Sequence, residues 1–192
     1  MTMHPGHPGH PGPTASSSGQ FARQTRMLSI ILISALVMIG LALAFVLTPV
    51  AEMPPWWVPV AQVVAGVALH AVIGAIGYRA APLDRSLDDA AARITAQRVF
   101  TTGLTMRFAF AESIAIVSIA LAFVLQHGGF LIFVGGALVS LALMAVHVWP
   151  GAGPVGRVAD RLEADGRPSG LREEFGVTGG PGPASGSAIQ EL

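Results

Sequence analysis

The chain has 192 residues, 52% of them hydrophobic and only 11% charged, with no net charge and no cysteine; its mean hydropathy is +0.62. A water-soluble domain carries about a quarter of its residues as charged side chains, so much of this surface does not face water. Neutrality excludes a bulk attraction to nucleic acid, and the lack of cysteine excludes disulfides and thiolate metal sites. All 11 basic residues are arginine, which, with the abundance of Ala, Gly and Pro, is associated with a GC-rich bacterial genome.

The first segment, 1–22, opens with "HPGHPGHPGP". Proline fixes φ, glycine loosens the chain and nothing apolar is present to form a core, so a disordered tail is expected. His4, His7 and His10 could bind a transition metal, but incidental histidines in a low-complexity tail are the favoured reading, and no cofactor is expected. A membrane domain is expected over 23–150, a cytoplasmic segment over 151–175 and a disordered Gly/Pro-rich tail over 176–192.

Four apolar stretches within 23–150 are long enough to cross a bilayer, which takes about 20 residues of helix. They are Met27–Leu47, Trp56–Tyr78, Leu104–Gln126 and Phe130–Val148. The first is longer than the ~7–15 residues of a signal-peptide core and reads as a retained span. The fold class is therefore all-α, a polytopic four-transmembrane-helix bundle.

Arginine sets the orientation. Arg23 and Arg26 precede the first span, and Arg79, Arg85, Arg93 and Arg98 lie in the loop 79–103. Arg157, Arg161, Arg167 and Arg172 follow the fourth span, whereas "TPVAEMPP" and "HGG" carry no arginine. Both termini and the 79–103 loop are expected in the cytoplasm of a bacterial inner membrane. Trp56, Trp57, Tyr78 and Trp149 suit an interfacial belt.

The inner loop predicts a short amphipathic helix. Ser86 is the expected N-cap, with Asp88 and Asp89 in a first turn that favours acids, and Leu83, Leu87, Ala91 and Ile94 form its apolar face. The helix can run into the third span, with Thr101-Thr102-Gly103 as a weak point. A shorter helix is expected around Pro154–Ala164.

One residue is out of place. Glu112 sits in "RFAFAESIAIVSIALAFVL", where an ionised acid costs about 2.5–3.5 kcal/mol. The eleven Leu, Ile, Val and Phe residues of the third span contribute roughly −5 kcal/mol on the same scale, so the helix still inserts. Glu112 should nevertheless face protein or water. Arg107, near the inner boundary, is expected to snorkel into headgroups.

The second span offers Glu112 a partner. Gly66, His70, Gly74 and Gly77 share a narrow arc, a ridge of the kind that lets membrane helices approach closely. Ala111, Ala115, Ser118 and Ala122 form a second ridge beside Glu112. His70 and Glu112 each lie eight positions from the inner ends of their spans, roughly 12 Å deep, so a His70–Glu112 pair is expected. His147, near the inner end of the fourth span, reads as an interfacial residue.

"AESIAIVSIALAFVL", preceded by "AGVALHAVIGAIGY" and an arginine-bearing inner loop, resembles the helical hairpin of rotary ATP synthase subunit c. The resemblance covers residues 60–125 and implies a hairpin with reversible protonation at Glu112. No catalytic triad, phosphate loop or metal-ligand spacing points to an enzyme. The expected function is that of a structural or accessory membrane protein, in contact with the lipid bilayer and as a homo-oligomer or part of a larger membrane complex. The alternative is a proton-responsive transporter or ion-coupled subunit with Glu112 as its protonatable site.

Overall fold

A computed structural model describes residues 19–47, 53–125 and 127–177. The two expected tails, with His4, His7 and His10, lie wholly or largely outside the described residues, as does most of the loop between the first two spans. Among the described residues the fold is all-helical with no strand. The elements are α1 Gln20–Val46, α2 Trp57–Ile76, α3 Asp89–Val124, α4 Gly129–His147, α5 Ala152–Leu162 and α6 Leu171–Phe175.

The first four helices are long and apolar enough to cross a membrane, which by length and composition makes the chain a multi-pass membrane protein. α3 is much longer than a span requires. Its 36 residues reach about 54 Å at 1.5 Å per residue, against a hydrocarbon core of about 30 Å. The polar stretch Asp89–Gly103 thus forms the first part of one continuous rod, and the Thr101-Thr102-Gly103 sequence does not break it. The hydroxyls of Thr101 and Thr105 fold back on the Gln97 and Thr101 carbonyls at 2.9 and 3.1 Å, so neither competes for a backbone partner outside the helix.

The start of α3 differs from expectation by two residues. Asp88 is the N-cap, and its carboxylate accepts from the Ala91 N–H at 2.7 Å. Ser86 instead turns back to Asp84, whose carboxylate accepts from the Ser86 backbone N–H and hydroxyl and is held below the usual carboxylate range by those two bonds. The buried face of this stretch is Ala92, Ala96 and Phe100, at i, i+4 and i+8. Ile94, assigned to the apolar face from sequence, is 50% exposed. A loop leucine and the turn before it do not share the helix's phase, which is why a stripe starting at Leu83 misled.

α4 packs against each of the other three spans. On α1, a Cβ at Gly40 would lie 3.0 Å from the Phe133 ring. On α2, Gly66 faces Val139, and on α3 the Ala111 carbonyl accepts from the Ser140 hydroxyl at 2.5 Å. The α3–α4 turn is short because Gly128 adopts φ 89° and lies against Pro54, a conformation that favours glycine. By contrast α1 buries few residues and presents Met27, Ile30, Ile31, Val37, Met38 and Phe45 outward.

A cap closes one end of the bundle. Phe21 of α1, Phe100 of α3 and Phe175 of α6 form an aromatic cluster with ring centroids 5.1–6.3 Å apart. The Leu83 N–H donates to the Leu162 carbonyl at 2.8 Å, and Gln97 donates to Glu174 at 2.8 Å. Arg167 pairs with Asp89 at 2.8 Å, and Arg172 pairs with Asp160 and Glu163. Three arginine-bearing segments, distant in sequence, therefore meet at the same end. α5 begins two residues before its expected start, and α6, a single turn, has no counterpart in the sequence reading.

Candidate functional site

The polar centre of the molecule lies where the C-terminal ends of α2 and α4 meet α3. Leaving α2, the chain continues through Gly77 to Tyr78, a buried residue. From there the Tyr78 hydroxyl lies 2.9 Å from His147 Nδ1, and His147 Nε2 lies 2.9 Å from His70 Nδ1. His147 is fully buried, while His70 opens to the outside of the bundle. The three side chains form one hydrogen-bonded line, and it is self-consistent in both directions. With Tyr78 donating, His147 donates to His70; with His70 donating, His147 donates to Tyr78.

Arg107 sits beside this line and is also fully buried. Its Nη1 donates to the Gly77 carbonyl at 3.1 Å, and its guanidinium carbon lies 4.6 Å from the Tyr78 ring centroid and 5.6 Å from that of Phe100. Nε and Nη2 meet no acceptor among the described residues. A charged hydrogen bond contributes about 1.5–3 kcal/mol and a desolvated cation–π contact about 2. These offset the roughly 2.5–3.5 kcal/mol cost of placing arginine in a span. The expectation that Arg107 snorkels outward is corrected: the side chain turns inward, because the end of α2 supplies a carbonyl and an aromatic face within reach. Gly77 and Gly103 make room for it, since a Cβ at Gly77 would lie 2.9 Å from Arg107 Cγ and one at Gly103 3.6 Å from Nη1.

The structure does not bring the expected pair together. The hydrogen bond of His70 goes to His147, and Glu112 is half-buried with no hydrogen bond or ion pair among the described residues. Counting positions from the ends of two neighbouring helices says nothing about which helix a face addresses. The small-residue positions divide similarly. Ala111, Ala115, Ser118 and Ala122 are all buried, and Gly136 approaches Ser118 so closely that no Cβ would fit. Gly66 faces Val139 of α4, Gly77 faces Arg107 of α3, and Gly74 is exposed with open space beside it.

Two residues escaped the sequence reading. Gln62 is buried and donates from one amide to the Ser118 hydroxyl at 2.9 Å and the Ile132 carbonyl at 2.8 Å, tying three helices. His147 was placed at the interface. The signal available for both was a polar residue on an otherwise apolar span, the same signal that drew attention to Glu112. Among the described residues no three metal-ligating side chains converge. No family model, curated protein or solved structure matches the chain.

Proposed function

We propose that the chain is a structural or accessory integral membrane protein, with both termini cytoplasmic in a bacterial inner membrane. The observation that supports this is how the polar side chains within the spans are committed. Gln62 links α2 to α3 and α4, Ser140 links α4 to α3, Ser29 of α1 lies 3.4 Å from the Val148 carbonyl, and His147 joins α4 to His70 within α2 and to Tyr78 just beyond it. Each such bond holds one helix to another. The outward apolar face of α1 is available to lipid, to a second copy or to a larger complex.

A second reading, a proton-responsive subunit, has one observation in its favour: the His70–His147–Tyr78 line runs from an exposed imidazole to a buried phenol and tolerates either direction of donation. Glu112, half-buried and unpaired among the described residues, stays in this reading as a protonatable acid. Infrared difference spectroscopy of the protein in lipid separates the two. A carboxyl or imidazole band that titrates between about pH 5 and 9, and vanishes in Glu112→Gln or His70→Gln respectively, favours proton coupling. Bands unchanged over that range favour the structural role. Orientation is tested with single cysteines at Thr14 and Ser185 in this cysteine-free chain; labelling by an impermeant thiol reagent in intact cells refutes cytoplasmic termini.

A further inference from the structure

The end of α2 carries a second cationic feature, separate from buried Arg107. Ala75, Arg79, Ala80, Ala81 and Arg161 line an open notch between the last turn of α2 and α5. Arg79 and Arg161 are both exposed, and Arg157, one turn before Arg161 on α5, stands with its guanidinium 5.0 Å from the Tyr78 ring centroid. None of the three makes an ion pair among the described residues. Of the acids nearest in sequence, Asp160 and Glu163 at the end of α5 both bind Arg172, and Asp84 is held by Ser86. Arg79 Nε bonds only to the Ala75 carbonyl, at 3.2 Å, and the terminal nitrogens of this exposed side chain have no partner among the described residues.

The depth of the notch identifies its chemistry. Ala75 belongs to the final turn of a membrane span, and Arg79 lies just beyond it. Two guanidinium groups therefore flank three alanines at the end of a span, the level where an acyl chain gives way to its headgroup. Guanidinium binds phosphate oxygens through paired N–H donors, and basic pockets at the ends of spans attract anionic lipid. We propose that this notch binds the phosphate of an anionic phospholipid headgroup, held between Arg79 and Arg161 with Arg157 adding to the local field. This rests on the four long helices being membrane spans and on neither functional reading above.

The test uses the full chain in nanodiscs of phosphatidylcholine containing phosphatidylglycerol, with bound lipid read by native mass spectrometry after release. The wild type is expected to retain phosphatidylglycerol over phosphatidylcholine. Arg79→Gln with Arg161→Gln should weaken that retention roughly 30-fold, about fivefold per arginine. Arg23→Gln with Arg98→Gln, a pair outside the notch, should leave it unchanged. Equal retention by the notch variant, an equal loss in the control pair, or no preference in the wild type overturns the proposal. Displacement of the lipid by millimolar inorganic phosphate would assign the notch to free phosphate and overturn the lipid assignment. Incorporation of every variant into nanodiscs keeps a failure of the notch distinct from a failure of the membrane reading.

Discussion

Tyr78 supports two neighbours with two different parts of one side chain: its hydroxyl lies 2.9 Å from His147 Nδ1, and its ring lies 4.6 Å from the Arg107 guanidinium. Both neighbours are fully buried, so neither has water as a substitute partner. The two contributions are separable. Tyr78→Phe removes only the hydroxyl and should cost about 0.6–1.7 kcal/mol, the range measured for hydrogen bonds within membrane bundles. Tyr78→Leu also removes the ring and should cost a further ~2 kcal/mol. Equilibrium unfolding in mixed micelles measures both, and equal losses would show that the ring does not stabilise Arg107.

Gly66 and Gly74 look alike in sequence and should behave oppositely. A Cβ at Gly66 would lie 2.5 Å from Val139 Cγ1, whereas one at Gly74 meets nothing within 4 Å. Gly66→Ala should destabilise by about 1–3 kcal/mol through overpacking, and Val139→Ala should restore much of that loss. Gly74→Ala should be neutral or stabilise by about 0.5–1 kcal/mol, because alanine has the lower entropic cost in a helix. Unfolding midpoints of Gly66→Ala, of Gly66→Ala with Val139→Ala, and of Gly74→Ala decide it; a loss at Gly74 as large as that at Gly66 would mean that α2 packs on a different face.

Gln62 should couple energetically to Ser118. In a double-mutant cycle of Gln62→Leu and Ser118→Ala the interaction term is expected near 0.6 kcal/mol, with 1.7 as its upper bound. The cycle isolates this bond from the second one, which the same amide makes to the Ile132 carbonyl. A zero term would leave Gln62 bound to α4 alone.

Phe100 is the fully buried centre of the aromatic cap. Phe100→Ala should cost about 3–5 kcal/mol locally and release α6, while the spans stay folded. Limited proteolysis checks this through faster cleavage after Arg167 or Arg172 with no change in span helicity by circular dichroism. Loss of span helicity would mean that the cap and the bundle form one cooperative unit.

Glu112→Gln is the counter-case. With no hydrogen bond or ion pair among the described residues, the carboxylate contributes no specific contact that glutamine lacks. Stability should change by less than ~0.5 kcal/mol, the usual range for substitutions away from such features. Stabilisation well beyond that would show that the charge was held at a cost in the span, which would strengthen the proton-responsive reading.

The sequence alone determined the number of long apolar helices and, for α2 and α4, their approximate limits, because a bilayer needs about 20 apolar residues and leaves little freedom in how a chain meets that need; α1 and α3 begin well before their apolar stretches. It also located the buried ridge of α3, since Ala111, Ala115, Ser118 and Ala122 share one face by helical period alone. Partner choice was not legible. His70 and Glu112 lie on helices that touch, yet the C-terminal end of α4 delivers His147 to His70, and the interhelix packing that does so is set by Gly66 against Val139 and Gly136 against Ser118. The inward turn of Arg107 was equally hidden, because it needs a carbonyl at Gly77 and a ring at Tyr78 that lie 30 and 29 positions away. Period and hydropathy are local properties that a sequence carries openly. Which helix faces which depends on the close fit of small and large side chains across long sequence separations, and only the tertiary structure decided that.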